Sequence, residues 1–132
     1  MSIERITDAE WRVMHVIWKS EGPVTSNEVI AGVVPETGWN PQTVRTLLTR
    51  LVEKEVLAAT KEKGVLFYTP LATREESVRV HGQSFLERVF EGNAREMLVH
   101  FVRDMAFSPD QIHELRKLLD NGLPDKELPD DK

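Results

Sequence analysis

Trp39-Asn40-Pro41-Gln42-Thr43-Val44-Arg45-Thr46-Leu47-Leu48-Thr49-Arg50-Leu51 reads as a helix with two unlike faces. Val44, Leu47, Leu48, Leu51 and Val52 recur at helical spacing and form one apolar stripe. Gln42, Arg45, Thr46, Thr49, Arg50 and Glu53 share the opposite stripe. Asn40 is a good N-cap and Pro41 suits the first helical position, so the helix starts sharply and its first polar residues stand at an exposed end. A helix that reads a DNA groove presents its residues in this way.

Downstream the period changes. Leu57 to Thr60 and Val65 to Thr69 are short runs, the second rich in β-branched and aromatic residues, separated by Lys61-Glu62-Lys63-Gly64. They predict a hairpin with a basic tip, stopped at Pro70 because proline cannot donate to a strand ladder. Upstream and further downstream, helix starts are marked by a capping residue with an acid or amide three positions later: Thr7 with Glu10, Thr25 with Glu28, Thr73 with Glu76, Asn93 with Glu96, and Ser108 with Gln111. With Asn40-Pro41 these starts predict helices over 8–20, 26–34, 41–54, 74–91, 94–106 and 109–120, punctuated by Gly22-Pro23, Gly38 and Gly92.

Three helices followed by a basic-tipped hairpin is the order of a winged helix-turn-helix. The expected fold is therefore mainly α with a small β-hairpin wing, divided into a winged-helix unit (1–72), a helical region (73–120) and an acidic, frayed tail (121–132).

Composition agrees with an ordinary globular chain: 132 residues, 40% hydrophobic and 30% charged. No apolar run exceeds four residues, so no membrane insertion is expected, and Met1-Ser2-Ile3-Glu4-Arg5 has no signal-like pattern, which points to the cytoplasm. The net charge of −5 has the wrong sign for phosphate, but it is unevenly distributed. Residues 1–70 carry a net −1 and residues 71–132 a net −4, while residues 39–64 carry a local +2 from Arg45, Arg50, Lys54, Lys61 and Lys63 against Glu53, Glu55 and Glu62.

Chemistry of other kinds finds little support. The absence of cysteine excludes disulfides, a cysteine nucleophile and a thiolate metal site. His15, His81, His100 and His113 have no metal-ligand spacing, and neither a metal nor a cofactor is expected. Gly82-Gln83-Ser84 is half of a nucleophile elbow, and no phosphate-cradling or dinucleotide-binding glycine string occurs, so the chain does not read as an enzyme. Trp11, Val13, Met14, Ile17 and Trp18 read as the broad buried face of the first helix.

The segments Asp8-Ala9-Glu10-Trp11, Gly22-Pro23-Val24-Thr25, Trp39-Asn40-Pro41, Thr43 to Leu51 and Ser84 to Phe90 resemble the penicillinase-repressor family, which includes methicillin-resistance and copper-operon repressors. The likeness covers about residues 6–120. It implies a bacterial, dimeric repressor whose winged helix binds a palindromic, double-stranded operator and whose C-terminal helices dimerise. Copper sensing through the C-terminal cysteines expected of copper-responsive relatives is excluded, since this chain has none.

On that reading Thr46 and Arg50 contact base edges, Arg50 being suited to a bidentate pair with guanine. Gln42, Thr43 and Arg45 hold phosphate or sugar, Lys54, Lys61 and Lys63 add nonspecific attraction, and Trp39 either meets the DNA backbone or staples the helix start. Val78, Phe85, Leu86, Val89, Phe90, Met97, Leu98, Phe101, Val102, Ile112, Leu115, Leu118 and Leu119 supply more apolar surface than three short helices can hide, which predicts a homodimer interface. Penicillinase-type relatives are cut at an Asn-Phe bond once a membrane sensor protease detects antibiotic. The matching position here is His100-Phe101, which departs from that pattern at its first residue. The alternative is a winged-helix module for protein interaction, for which Arg45 and Arg50 would be dispensable.

Overall fold

The computed structural model describes residues 5–121, in which the chain runs α1 (Asp8–Lys19), β1 (Val24–Thr25), α2 (Ser26–Thr37), α3 (Pro41–Glu53), β2 (Leu57–Glu62), β3 (Val65–Pro70), α4 (Arg74–Phe90), α5 (Ala94–Asp104) and α6 (Pro109–Asn121). Of the expected acidic tail, 122–132 lies outside the described residues, and Asn121 belongs to α6.

Local chemistry sets most boundaries. Thr7, Thr25 and Thr73 each accept from the backbone N–H three residues on, while Glu10, Glu28 and Glu76 return the bond to the cap, as the sequence predicts. Helix α2 runs three residues beyond its expected end, through Pro35 to Thr37. Proline there forfeits one backbone bond but keeps a helical φ, and the helix stops instead at Gly38, whose φ of 73° gives a left-handed cap with its N–H on the Val34 carbonyl.

The sheet is antiparallel, with strand order β1-β3-β2. Strand β1 is absent from the sequence reading because two residues show no alternation. Val24 and Thr25 pair with Tyr68 and Phe67, and Thr25 is at the same time the N-cap of α2. The hairpin is longer than expected, since Lys61 and Glu62 pair with Leu66 and Val65, leaving a two-residue turn. Lys63 and Gly64 carry that turn with φ of 53° and 81°, the paired positive values of a type I′ connection that matches the strand twist.

Helices α1, α2 and α3 close over one core with the sheet. Val13, Met14, Ile17, Val29, Val33, Val44, Leu47, Leu48, Leu51, Val56, Leu57 and Tyr68 are all buried within it. Helices α1 and α2 approach so closely at Gly32 that a Cβ there would fall 2.8 Å from Cγ1 of Val16. Trp11 and Trp18, expected in the buried face of α1, lie instead half-buried at its edge. Trp18 Nε1 donates to the Ala72 carbonyl at 3.0 Å, just before α4, and Trp11 Nε1 donates to His81 Nδ1 at 3.4 Å, in the middle of α4.

One charge lies inside this core. Glu10 is 1% exposed, and its Oε1 accepts from the Thr7 backbone N–H at 2.9 Å and from Lys54 Nζ at 2.7 Å. The Lys54 ammonium also donates to the Arg5 carbonyl at 2.7 Å, tying the end of α3 to the start of α1.

The helices after the wing are built differently. Ser77 is the sole buried residue of α4, and α5 and α6 have none. Phe85, Phe90 and Phe101 gather their rings between α4 and α5, with centroids 5.9–6.4 Å apart. Most of the remaining apolar side chains stay uncovered, with Val89, Leu98, Val102 and Leu119 between 47% and 73% exposed.

Replacing Lys54 with Ala strands the Glu10 carboxylate and is expected to lower stability by about 1–3 kcal/mol. Urea denaturation checks this, and an unchanged midpoint would show that water replaces the ammonium.

Candidate nucleic-acid interface

The geometry of α3 follows from its two stripes. Val44, Leu48 and Leu51 are fully buried and Leu47 is nearly so, which commits one side of the helix to the core at a gain of about 1.5–3 kcal/mol per side chain. The opposite side must then face outward. Gln42, Thr43, Arg45, Thr46, Thr49 and Arg50 are all exposed there. Asn40 caps the helix by accepting from the Gln42 N–H at 2.8 Å, and Pro41 occupies the first turn. The remaining N–H groups of that end complete a rigid, polar helix start.

Donor availability decides what this face can do. The side chains of Gln42, Thr43, Arg45, Thr46 and Arg50 have no hydrogen-bond or ion-pair partner among the described residues, whereas the Thr49 hydroxyl donates to the Arg45 carbonyl at 3.1 Å. Two guanidiniums and an amide, held on a helix whose other face is locked, are suited to planar acceptors such as base edges and phosphates. The wing follows directly, because β2 starts four residues after α3 ends. Lys61 and Lys63 are exposed and unpaired among the described residues, with Lys63 in the turn itself.

Two of the expected site residues are placed otherwise. Lys54 lies at the C-terminal cap of α3, and its ammonium is held by Glu10 and the Arg5 carbonyl rather than offered to a ligand. Its position at the helix end let the sequence suggest a surface cation; the partner, 44 residues away, has no sequence signal. Trp39 is half-buried and packs against the core, with its backbone N–H on the Thr37 hydroxyl at 3.1 Å. This arrangement matches the staple role of its two expected ones. The structure thus brings Gln42, Thr43, Arg45, Thr46 and Arg50 onto one surface, with Lys61 and Lys63 on the adjoining hairpin.

The sequence profile of the penicillinase repressor family matches residues 6–121. The chain belongs to that family. It is 36% identical over 118 residues to the penicillinase repressor of Bacillus licheniformis, covering 89% of this chain and 91% of that one. Identity to the methicillin resistance regulatory protein MecI of Staphylococcus aureus strain N315 is 31% over 114 residues, covering 86% and 92%. Among solved structures it is similar to the DNA-binding domain of the repressor BlaI, with a TM-score of 0.51, 40% identity and coverage of 56% of this chain and 89% of that one. The monomeric form of Bacillus licheniformis BlaI in complex with the blaP half-operator gives a TM-score of 0.50 at the same identity and coverage. The family is one of repressors and not of enzymes, in agreement with the reading of the sequence. The winged helix-turn-helix is likewise the fold of this family member.

Proposed function

We propose that this repressor binds a palindromic operator as a homodimer, reading bases through α3 and gripping the backbone through the wing. One observation carries the reading: α3 buries its whole apolar stripe while its polar stripe stands exposed with unpartnered Arg45 and Arg50. Thr46 and Arg50, one turn apart, are assigned to base edges, and Gln42, Thr43 and Arg45 to phosphate and sugar near the helix start. Lys61 and Lys63 attract phosphate without reading sequence. Lys54 is left out of the interface because its charge is satisfied within the fold.

The division of labour places DNA binding in residues 1–72 and dimerisation in 73–120. The uncovered apolar side chains of α4, α5 and α6 support the second half of this reading, since a surface of that extent is costly in water and is typical of a subunit contact. Val78, Phe85 and Val89 on α4, Leu98 and Val102 on α5, and Ile112, Leu115, Leu118 and Leu119 on α6 are each at least 36% exposed. Leu86, Phe90, Met97 and Phe101 are half-buried beside them. A two-fold dimer presents two α3 helices to half-sites about one or two helical turns apart.

Release of the operator is assigned to an inducing signal acting on this C-terminal half, in the cytoplasm where the DNA lies. Proteolysis downstream of a membrane sensor is one such route. The His100-Phe101 bond sits inside α5, with Phe101 stacked on Phe85 at 6.3 Å, so a protease reaches it only when α5 opens locally. Among the described residues no helix is long and apolar enough to cross a membrane.

Three outcomes test the proposal. With the DNA upstream of the protein's own gene and an unrelated duplex as competitor, Arg50→Ala should lose about 1–3 kcal/mol of discrimination, as read by gel shift; full retained preference would remove Arg50 from the base contacts. Lys61→Ala with Lys63→Ala should weaken both duplexes alike and reduce the salt slope by about two. Leu98→Glu with Val102→Glu should give a monomer by sedimentation and lower operator affinity by about 10²–10⁴-fold. A wild-type chain that stays monomeric at micromolar concentration would reassign α4–α6 to another partner.

A further inference from the structure

Between the end of α1, the 71–73 linker and the first turn of α4 lies a groove of about 410 Å³, within the size range of small-ligand pockets. His15, Trp18, Lys19, Ala72, Arg74 and Glu75 line it. Its walls are fixed from both sides. Trp18 Nε1 holds the Ala72 carbonyl at 3.0 Å, and the Thr73–Glu76 capping box locks the start of α4. That box takes up the Thr73 and Glu76 N–H groups, and the pull on a ligand is assigned to the side chains.

Those side chains are arranged for an anion. Lys19 and Arg74 have no ion-pair partner among the described residues, and Glu75 is the one carboxylate in the lining. The Trp18 indole offers a flat apolar wall beside them. We propose that this groove binds a small organic anion, a carboxylate or phosphate carried on an aromatic or aliphatic body, with Lys19 and Arg74 sharing the charge and Trp18 covering the body.

His15 couples the site to protons. Partial burial, then the positive charges of Arg74 and Lys19, hold its pKa below the ordinary value and so favour the neutral ring. The other charged or titratable groups about His15 are Asp8 and Arg12 on α1, Glu36 on α2, and Glu75, Arg79, His81 and Arg88 on α4. A bound anion offsets Lys19 and Arg74 and so raises the His15 pKa. Binding therefore takes up protons and tightens as pH falls through that raised value.

Position gives the site its consequence. The groove joins α1, inside the winged half, to the first turn of α4, so an occupant fixes the angle at which α4 leaves. In a dimer that angle sets the distance between the two α3 helices, a consequence that rests on the repressor reading above; the binding itself does not.

The test is a titration of the full chain, without DNA, with benzoate, phenyl phosphate and neutral benzyl alcohol, following histidine Cε1–H and indole N–H signals by NMR. Expected are saturable shifts at His15 and Trp18 with one or both anions, a raised His15 pKa, and affinity reduced by roughly tenfold or more in Lys19→Gln with Arg74→Gln. The stronger of the two anions identifies carboxylate or phosphate chemistry. Unchanged α3 amide signals in that variant establish that it remains folded. No saturable shift at millimolar anion, equal binding of benzyl alcohol, undiminished affinity in the double variant, or shifts centred on Arg45 and Arg50 would each overturn the proposal. Failure here leaves operator binding standing, whereas failure to bind the operator leaves the groove standing.

Discussion

The rest of the molecule depends on the burial of Val44, Leu47, Leu48 and Leu51 against α1, α2 and the root of the wing. These side chains fix the rotation of α3 about its own axis, because turning the helix would bring Arg45 or Arg50 into an apolar core at a cost of several kcal/mol. The same contact orders the hairpin, which begins from the buried Val56 and Leu57. A rigid scaffold and an exposed polar face are therefore two results of one packing arrangement.

The Glu10–Lys54 pair adds direction to that packing. Hydrophobic contact alone allows small slips of one helix along another, but a buried carboxylate that already caps α1 and accepts from Lys54 at 2.7 Å leaves the C-terminal end of α3 one position relative to α1. Lys54 is therefore better understood as part of the scaffold, and the local positive charge of the proposed interface rests on Arg45, Arg50, Lys61 and Lys63. Trp11 and Trp18 extend the same logic outward. Each indole puts its ring at the edge of the core and its N–H further along the chain, Trp18 on the Ala72 carbonyl before α4 and Trp11 on His81 within α4. Directional bonds around an open groove thus join α1 to the linker at Ala72 and to α4 at His81.

Much of this was legible in the sequence, and the exceptions share a cause. Helix starts were readable because a capping box involves residues three apart, and the wing because two short runs, the second rich in β-branched and aromatic residues, flank Lys61 to Gly64. Strand β1 was not readable: Val24 and Thr25 become a strand only because Tyr68 and Phe67 lie beside them. The end of α2 was placed three residues short of Thr37: the missing bond of Pro35 is tolerable in a last turn when Gly38 supplies the cap. The tip of the wing is tighter than its composition suggests, because cross-strand pairing recruits Lys61 and Glu62 and leaves the two positive-φ residues to turn.

The sequence by itself determined the helical periods, the caps, the order of three helices and a wing, the resemblance that names the family, and the set of polar residues on one stripe of α3. All of these depend on neighbours a few positions apart, where backbone geometry alone sets which residues meet. Only the tertiary structure decided that Lys54 serves Glu10, that Trp39 packs inward, that Trp18 meets Ala72 and Trp11 meets His81, and that His15, Lys19 and Arg74 share a groove. Those contacts join residues from 44 to 70 positions apart in the bonded cases, and a pairing across such distances is chosen by how the elements pack, which no local pattern encodes.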